Sequence, residues 1–153
     1  MAGLIPARGN WEYRLTNQAS AATFFKGDAL ALNGVREAVR FASTSSQLHG
    51  IAMQDSANSL PRGKVIVAIP APNCTAYADV DVGIAASALS IGQGKSLYKS
   101  GATNTSYISQ LAGSQFSTVC VVAGPLDSAL SRIEVAFLTS GGLYSASTST
   151  YLT

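Results

Sequence analysis

Lys64-Val-Ile-Val-Ala-Ile69, halted by Pro70 and Pro72, is the stretch on which the reading of the fold turns. Val65, Ile66, Val67 and Ile69 are β-branched, which restricts χ1 and suits an extended, pleated backbone. A six-residue run that is apolar on both faces reads as a strand covered on both sides. The prolines end it, because they cannot donate into a ladder. Outward from this run, apolar residues at helical spacing are scarce. Short β-type runs between Gly, Pro, Asn and Ser clusters recur instead. Trp11 to Thr16 alternates apolar and polar residues. Asp28 to Leu32, the dipeptide Asn33-Gly34, and Val35 to Phe41 read as a hairpin, since Asn-Gly tolerates the positive φ of a type I′ turn. Gln47 to Met53, Ser96 to Lys99, Gln115 to Ala123 and Arg132 to Leu138 complete the strands, with a single helical turn at Ala85 to Leu89. The expectation is an all-β domain.

The 153 residues, 47% of them apolar, suffice for one core with arms. Only 12% are charged, about half the usual share. With 20 Ser and 11 Thr, the surface is weakly protected against association. It suits a protein packed against copies of itself or a partner. The pattern divides the chain into an N-terminal arm (1–16), a β-rich core (17–138) and a C-terminal arm (139–153). The last carries Leu143, Tyr144 and Tyr151 in a Ser/Thr-rich setting. No apolar run is long enough for a membrane-spanning helix. Met1 to Asn10 lacks the pattern of a signal peptide, which favours buried free thiols at Cys74 and Cys120 and a reducing compartment, with a Cys74–Cys120 disulfide as the open alternative. The net charge of +2 comes without a basic cluster, so no nucleic-acid surface is expected.

Catalysis needs a constellation that the residues do not supply. His49 is the single histidine, and no Gly-x-Ser-x-Gly elbow exists. Gly92-Gln-Gly-Lys-Ser96 resembles the end of a phosphate-binding loop, but Leu89 stands where its first glycine belongs. Asp79 and Asp81 flank Val80 and would share one strand face, a pair that reads as a solvated face more readily than as a cation site. One histidine and two distant cysteines give no zinc spacing. The expectation is therefore a non-enzyme without metal or cofactor, whose function is its surface.

Phe25-Lys-Gly-Asp-Ala-Leu-Ala-Leu32, the strand from Val35 to Phe41, His49-Gly-Ile-Ala52, Arg62-Gly-Lys-Val-Ile-Val-Ala-Ile69, Gly92-Gln-Gly-Lys-Ser-Leu-Tyr98 and Ser131-Arg-Ile-Glu-Val-Ala-Phe137 follow one another in an order that resembles tailed-bacteriophage head decoration (cement) proteins. The likeness spans about residues 20–138. It implies a small β-tulip or barrel-like domain that forms homotrimers on the outer capsid surface of the virion. There it would clamp subunits of the major capsid protein through its arms, without catalytic residues or cofactor. By that likeness residues 1–16 and 139–153 are the contact segments; within them the contacts are expected on Arg8, Trp11, Tyr13, Arg14, Leu143, Tyr144 and Tyr151, since Trp, Tyr and Arg dominate interfaces generally. Two rival readings are a phage tail, neck or fibre component, and a small β-barrel enzyme or ligand-binding domain using His49 with Asp28 or Asp55.

Overall fold

The structure, a computed structural model, describes residues 3–20, 22–41, 48–56, 63–80, 90–92, 94–95 and 120–137. Ten strands run through them: β1 (Ile5–Arg8), β2 (Glu12–Asn17), β3 (Ala29–Leu32), β4 (Ala38–Arg40), β5 (Gly50–Ala52), β6 (Lys64–Ile69), β7 (Thr75–Asp79), β8 (Gly94–Lys95), β9 (Cys120–Val122) and β10 (Arg132–Phe137). The domain is all-β, with no helix among the described residues. The strands form two five-stranded antiparallel sheets, ordered β1-β7-β10-β9-β8 and β2-β6-β5-β3-β4. The expected strands at Ser96 to Lys99 and the helical turn at Ala85 to Leu89 lie outside the described residues.

Alternation along the strands explains the core. Ala76, Ala78, Val122, Ile133, Val135 and Phe137 of the first sheet meet Ala29, Ala31, Ile51 and Ala68 of the second in one buried cluster. The alanines occupy little depth, which leaves room for Phe137 and Ile51. The opposite face of the second sheet buries Leu30, Ala38, Ala52, Val65 and Val67 around Phe24. β6 is thus buried on one face through Val65 and Val67, while on the other only Ala68 is covered and Lys64 and Ile66 stay exposed, so its apolar run is doubly covered at one end alone. The second sheet also curls upon itself. Gln18, just past β2, bridges to Ala38 of β4, and the Ala19 N–H donates to the Ala38 carbonyl at 3.1 Å. This curl gives it a barrel-like form.

Three strands escape the sequence reading, among them the two-residue β8, which falls in a Gly-rich stretch. β1 contains Pro6, and a bulge interrupts its pairing with β7 between Pro6 and Arg8. Both features suit an edge strand. β7 is Thr-Ala-Tyr-Ala-Asp, whose small residues give little apolar contrast, yet Ala76 and Ala78 are fully buried. These pairings bear on residues 1–16, expected as an arm. Their described part forms β1 and most of β2, paired within the chain to β7 and β6. The C-terminal arm, 139–153, lies outside the described residues.

The hairpin between β3 and β4 forms, but its turn is not the two-residue type I′. Strand pairing ends at Leu32 and Ala38. The Arg36 N–H donates to the Asn33 carbonyl and the Asn33 N–H to the Glu37 carbonyl. The Asn33 side chain accepts from the Val35 and Glu37 N–H groups at 3.0 and 2.9 Å. This is a three-residue loop, and Arg36, not Gly34, takes the positive φ of 61°. The side chain of Asn33 stabilises the wider loop by satisfying two backbone donors that the tight turn would leave elsewhere.

Two connections cross between the sheets at one corner: β1 to β2 through Gly9, and β6 to β7 through Pro70 to Cys74. The Asn10 N–H donates to Asn73 Oδ1 at 3.3 Å, and Trp11 Nε1 donates to the Arg8 carbonyl at 3.0 Å. The Trp11 ring meets Phe137 edge-on, 5.7 Å between centroids, a favoured aromatic geometry. The Pro70-Ala-Pro72 segment is therefore the route by which the chain changes sheets.

Candidate interaction surface on the edge strand

β2 ends the order of its sheet, with β6 on one side. Its register with β6 is unbroken from Glu12 opposite Ile69 to Asn17 opposite Lys64. The Gln18 N–H donates toward β6, to the Gly63 carbonyl at 2.8 Å, whereas the Ala19 N–H donates the other way, to Ala38. Backbone groups alternate in direction along a strand. The N–H and C=O groups of Tyr13 and Leu15 therefore point away from β6, where no described strand lies.

Side chains add to this open edge. Tyr13 and Leu15 share a face and are 57% and 67% exposed. Ile66 stands directly opposite Leu15 on β6 and is 40% exposed. The other face of β2 carries Glu12 and Arg14, paired at 2.7 Å and both largely exposed. Edge strands are normally guarded by charged side chains, Pro or bulges. β1, at the edge of the first sheet, has the proline and the bulge; β2 has neither, and its two charges, Glu12 and Arg14, neutralise each other.

The residues expected as contacts divide accordingly. Tyr13 and Arg14 lie on the open edge strand. Arg8 is exposed on the first sheet and ion-paired with Glu134 at 3.4 Å. Trp11 is partly buried against the core through Phe137, so part of its aromatic surface is used within the chain. Leu143, Tyr144 and Tyr151 lie outside the described residues. Sequence reasoning missed Leu15 and Ile66. The alternation of Tyr13 and Leu15 was a usable signal for the first. Ile66 gave none, since it sits in a run whose other members are buried or half-buried apart from Lys64.

On the outer face of the first sheet, Arg8, Tyr77, Gly124, Asp127, Arg132 and Glu134 line a shallow cleft of about 410 Å³. Glu134 accepts from the Thr75 hydroxyl at 2.9 Å, and the Arg132 guanidinium lies 5.5 Å from the centre of the Tyr77 ring. Two cations and two carboxylates balance here, and each charged group is engaged within the sheet or its loops.

The residues that a hydrolytic reading would need are spread over separate tasks. His49 Nε2 lies 3.3 Å from Thr16 Oγ1. Asp28 accepts from the Phe25 N–H at 3.0 Å and Asp55 from the Lys26 N–H at 2.9 Å. Asp79 accepts from the Gly3 N–H at 3.0 Å; burial pushes its carboxyl up from the usual range, against that hydrogen bond and the nearby cations. Asp81 lies outside the described residues. Among the described residues no three His, Cys, Asp or Glu side chains gather as metal ligands. Cys74 and Cys120 are buried free thiols, and Cys74 Sγ accepts from the Ala71 N–H at 3.2 Å.

His49 supplies a pH test of the barrel end. Burial, and then the Arg14 cation, hold its imidazole below its ordinary value. The unfolded chain therefore binds the proton more readily than the folded one in the window just below about pH 6.5, and stability rises with pH across that window. His49→Gln is expected to flatten this slope in urea titrations run at several pH values. An unchanged slope would show that His49 titrates as in the unfolded chain.

No protein-family model matches the chain, and no curated protein matches it.

Proposed function

We propose that this protein works by being held in an assembly, as a decoration (cement) protein on the outer surface of an icosahedral phage head, where it stabilises contacts between major capsid protein subunits. The observation that carries the reading is the β2 edge, without proline or bulge and unpaired among the described strands, with Tyr13, Leu15 and Ile66 exposed beside it. Burying each of these side chains would contribute about 1–2 kcal/mol before association costs. The all-β domain and the sparse charge are of the kind the resemblance implies. Homotrimer formation and virion location belong to the same proposal.

The experiment is co-sedimentation with empty capsid shells of the phage that encodes the protein. The wild type is expected to pellet with the shells. Leu15→Lys is expected to stay in the supernatant while keeping a near-native melting temperature, because its side chain already faces solvent. Failure of the wild type to pellet, or undiminished pelleting of Leu15→Lys, would overturn the reading. Deleting residues 1–10 is a poorer test, since it removes β1 from its sheet.

A further inference from the structure

We infer that the outer edge of β2 is a homotypic interface, at which β2 of one copy pairs antiparallel with β2 of a second copy about a two-fold axis, Tyr13 facing Tyr13 of the partner subunit. The inference stands on the edge alone and does not require the capsid reading.

The backbone limits the choice of register. Directly opposed residues in an antiparallel pair share a face and use the same kind of backbone pairing. The outward groups belong to Tyr13 and Leu15, and by the same alternation to Trp11 and Asn17. A two-fold pairing of β2 can then centre on Tyr13, Arg14 or Leu15. Centring on Arg14 sets it against the partner's Arg14, and like charges directly opposed are destabilising. Centring on Leu15 sets Tyr13 against the partner's Asn17, at the end where the neighbouring Gln18 is already bridged to β4, and leaves Arg14 against a threonine.

Centring on Tyr13 satisfies both faces. Glu12 of each copy then stands opposite the partner's Arg14, so the two charges now paired along one strand pair twice across the axis. On the other face Tyr13 stands opposite the partner's Tyr13, and Trp11, which precedes the strand and is partly covered by Phe137, comes opposite the partner's Leu15. No like charges meet in this register. The stretch Glu-Tyr-Arg is thus complementary to its own antiparallel image in charge and in polarity, which is what singles out a second copy as the occupant. The contact is isologous and closes on itself. It also joins the two exposed Tyr13–Leu15–Ile66 faces into one platform across β6-β2-β2-β6, twice the apolar area available to any further partner. It is a different contact from the three-fold one of a trimer, and on a shell it would link one oligomer to the next.

Disulfide trapping reads the register. Residues in a hydrogen-bonded antiparallel pair have Cα atoms about 5.5 Å apart, inside the range a disulfide spans. The native thiols are buried and do not compete. Tyr13→Cys is expected to run as a covalent dimer after mild oxidation, whereas Leu15→Cys stays monomeric on the same gel. Sedimentation equilibrium of charge variants covers the chance that either cysteine variant misfolds. Glu12→Arg and Arg14→Glu are each expected to weaken the dimer about tenfold, and the double variant E12R/R14E to restore it. Crosslinking at position 15 in place of 13, three charge variants that sediment alike, or a wild type that stays monomeric at every concentration would each overturn the inference. None of these readouts involves capsid shells, so the homotypic contact and the capsid reading fail separately.

Discussion

Gly9→Ala should lower the thermal unfolding midpoint by about 10 °C. Gly9 has φ of +93°, and a Cβ there would lie 2.5 Å from the Asn73 carbonyl oxygen and 2.6 Å from Cys74 Cα. Both obstacles are backbone, so no side-chain rotation relieves them. The left-handed conformation costs an L-residue about 1–2 kcal/mol, and overpacking adds about 1–3 kcal/mol. At roughly 2–4 °C per kcal/mol for a chain of this size, the sum gives the stated shift. The damage falls where both connections change sheets, so partial separation of the sheets should accompany it and raise dye binding to exposed apolar surface. Gly34→Ala is the control. Gly34 does not use positive φ, and a Cβ there meets nothing within 4 Å. It should be neutral or slightly stabilising, because alanine restricts the unfolded chain. If calorimetry finds the two substitutions alike, the corner is not as the structure draws it.

Phe137→Ala should cost about 3–5 kcal/mol, a large part of the roughly 5–15 kcal/mol that holds a domain together. Phe137 is 2% exposed. It ends β10 in the core between the sheets, opposite Cys120 of β9, and takes the edge of Trp11 on its ring. Truncation removes the buried ring and also leaves Trp11 without its partner. A rise in Trp11 fluorescence accessibility to quencher should therefore accompany the loss of stability in urea. A cost below about 1 kcal/mol would mean that the site collapses around the cavity and that Trp11 is not anchored there. The same geometry gives Trp11, expected as a partner contact, a second task in holding the corner of the fold.

What could be read along the chain follows from local contrast. Lys64 to Ile69 announced a doubly covered strand because β-branched residues crowd both its faces, and β6 does bury Val65 and Val67 on one side and Ala68 on the other. Arg132 to Phe137 declared itself in the same way. β7 did not, since alanine serves a core face only when the facing sheet brings larger side chains to it. Asn33-Gly34 promised one turn and made another, because the bonds of the Asn33 side chain depend on where Glu37 sits after the strands have paired.

The candidate surface divides along the same line. Tyr13 and Arg14 were visible as interface types. Leu15 shares the alternation of Tyr13, but its exposure and that of Ile66 are properties of the space beside the strand.

By themselves, the residues determined that this chain is built from strands and that charge does little to keep its surface apart from others. β-branching, prolines and alternation act within a few residues, so a linear reading captures them. Tertiary structure alone decided that the first strands form an edge of each sheet, that Trp11 meets Phe137 while Leu15 stays exposed, and that Gly9 is indispensable where Gly34 is not. Each of these rests on a contact between residues dozens of positions apart, and no local preference encodes which distant backbone will arrive there.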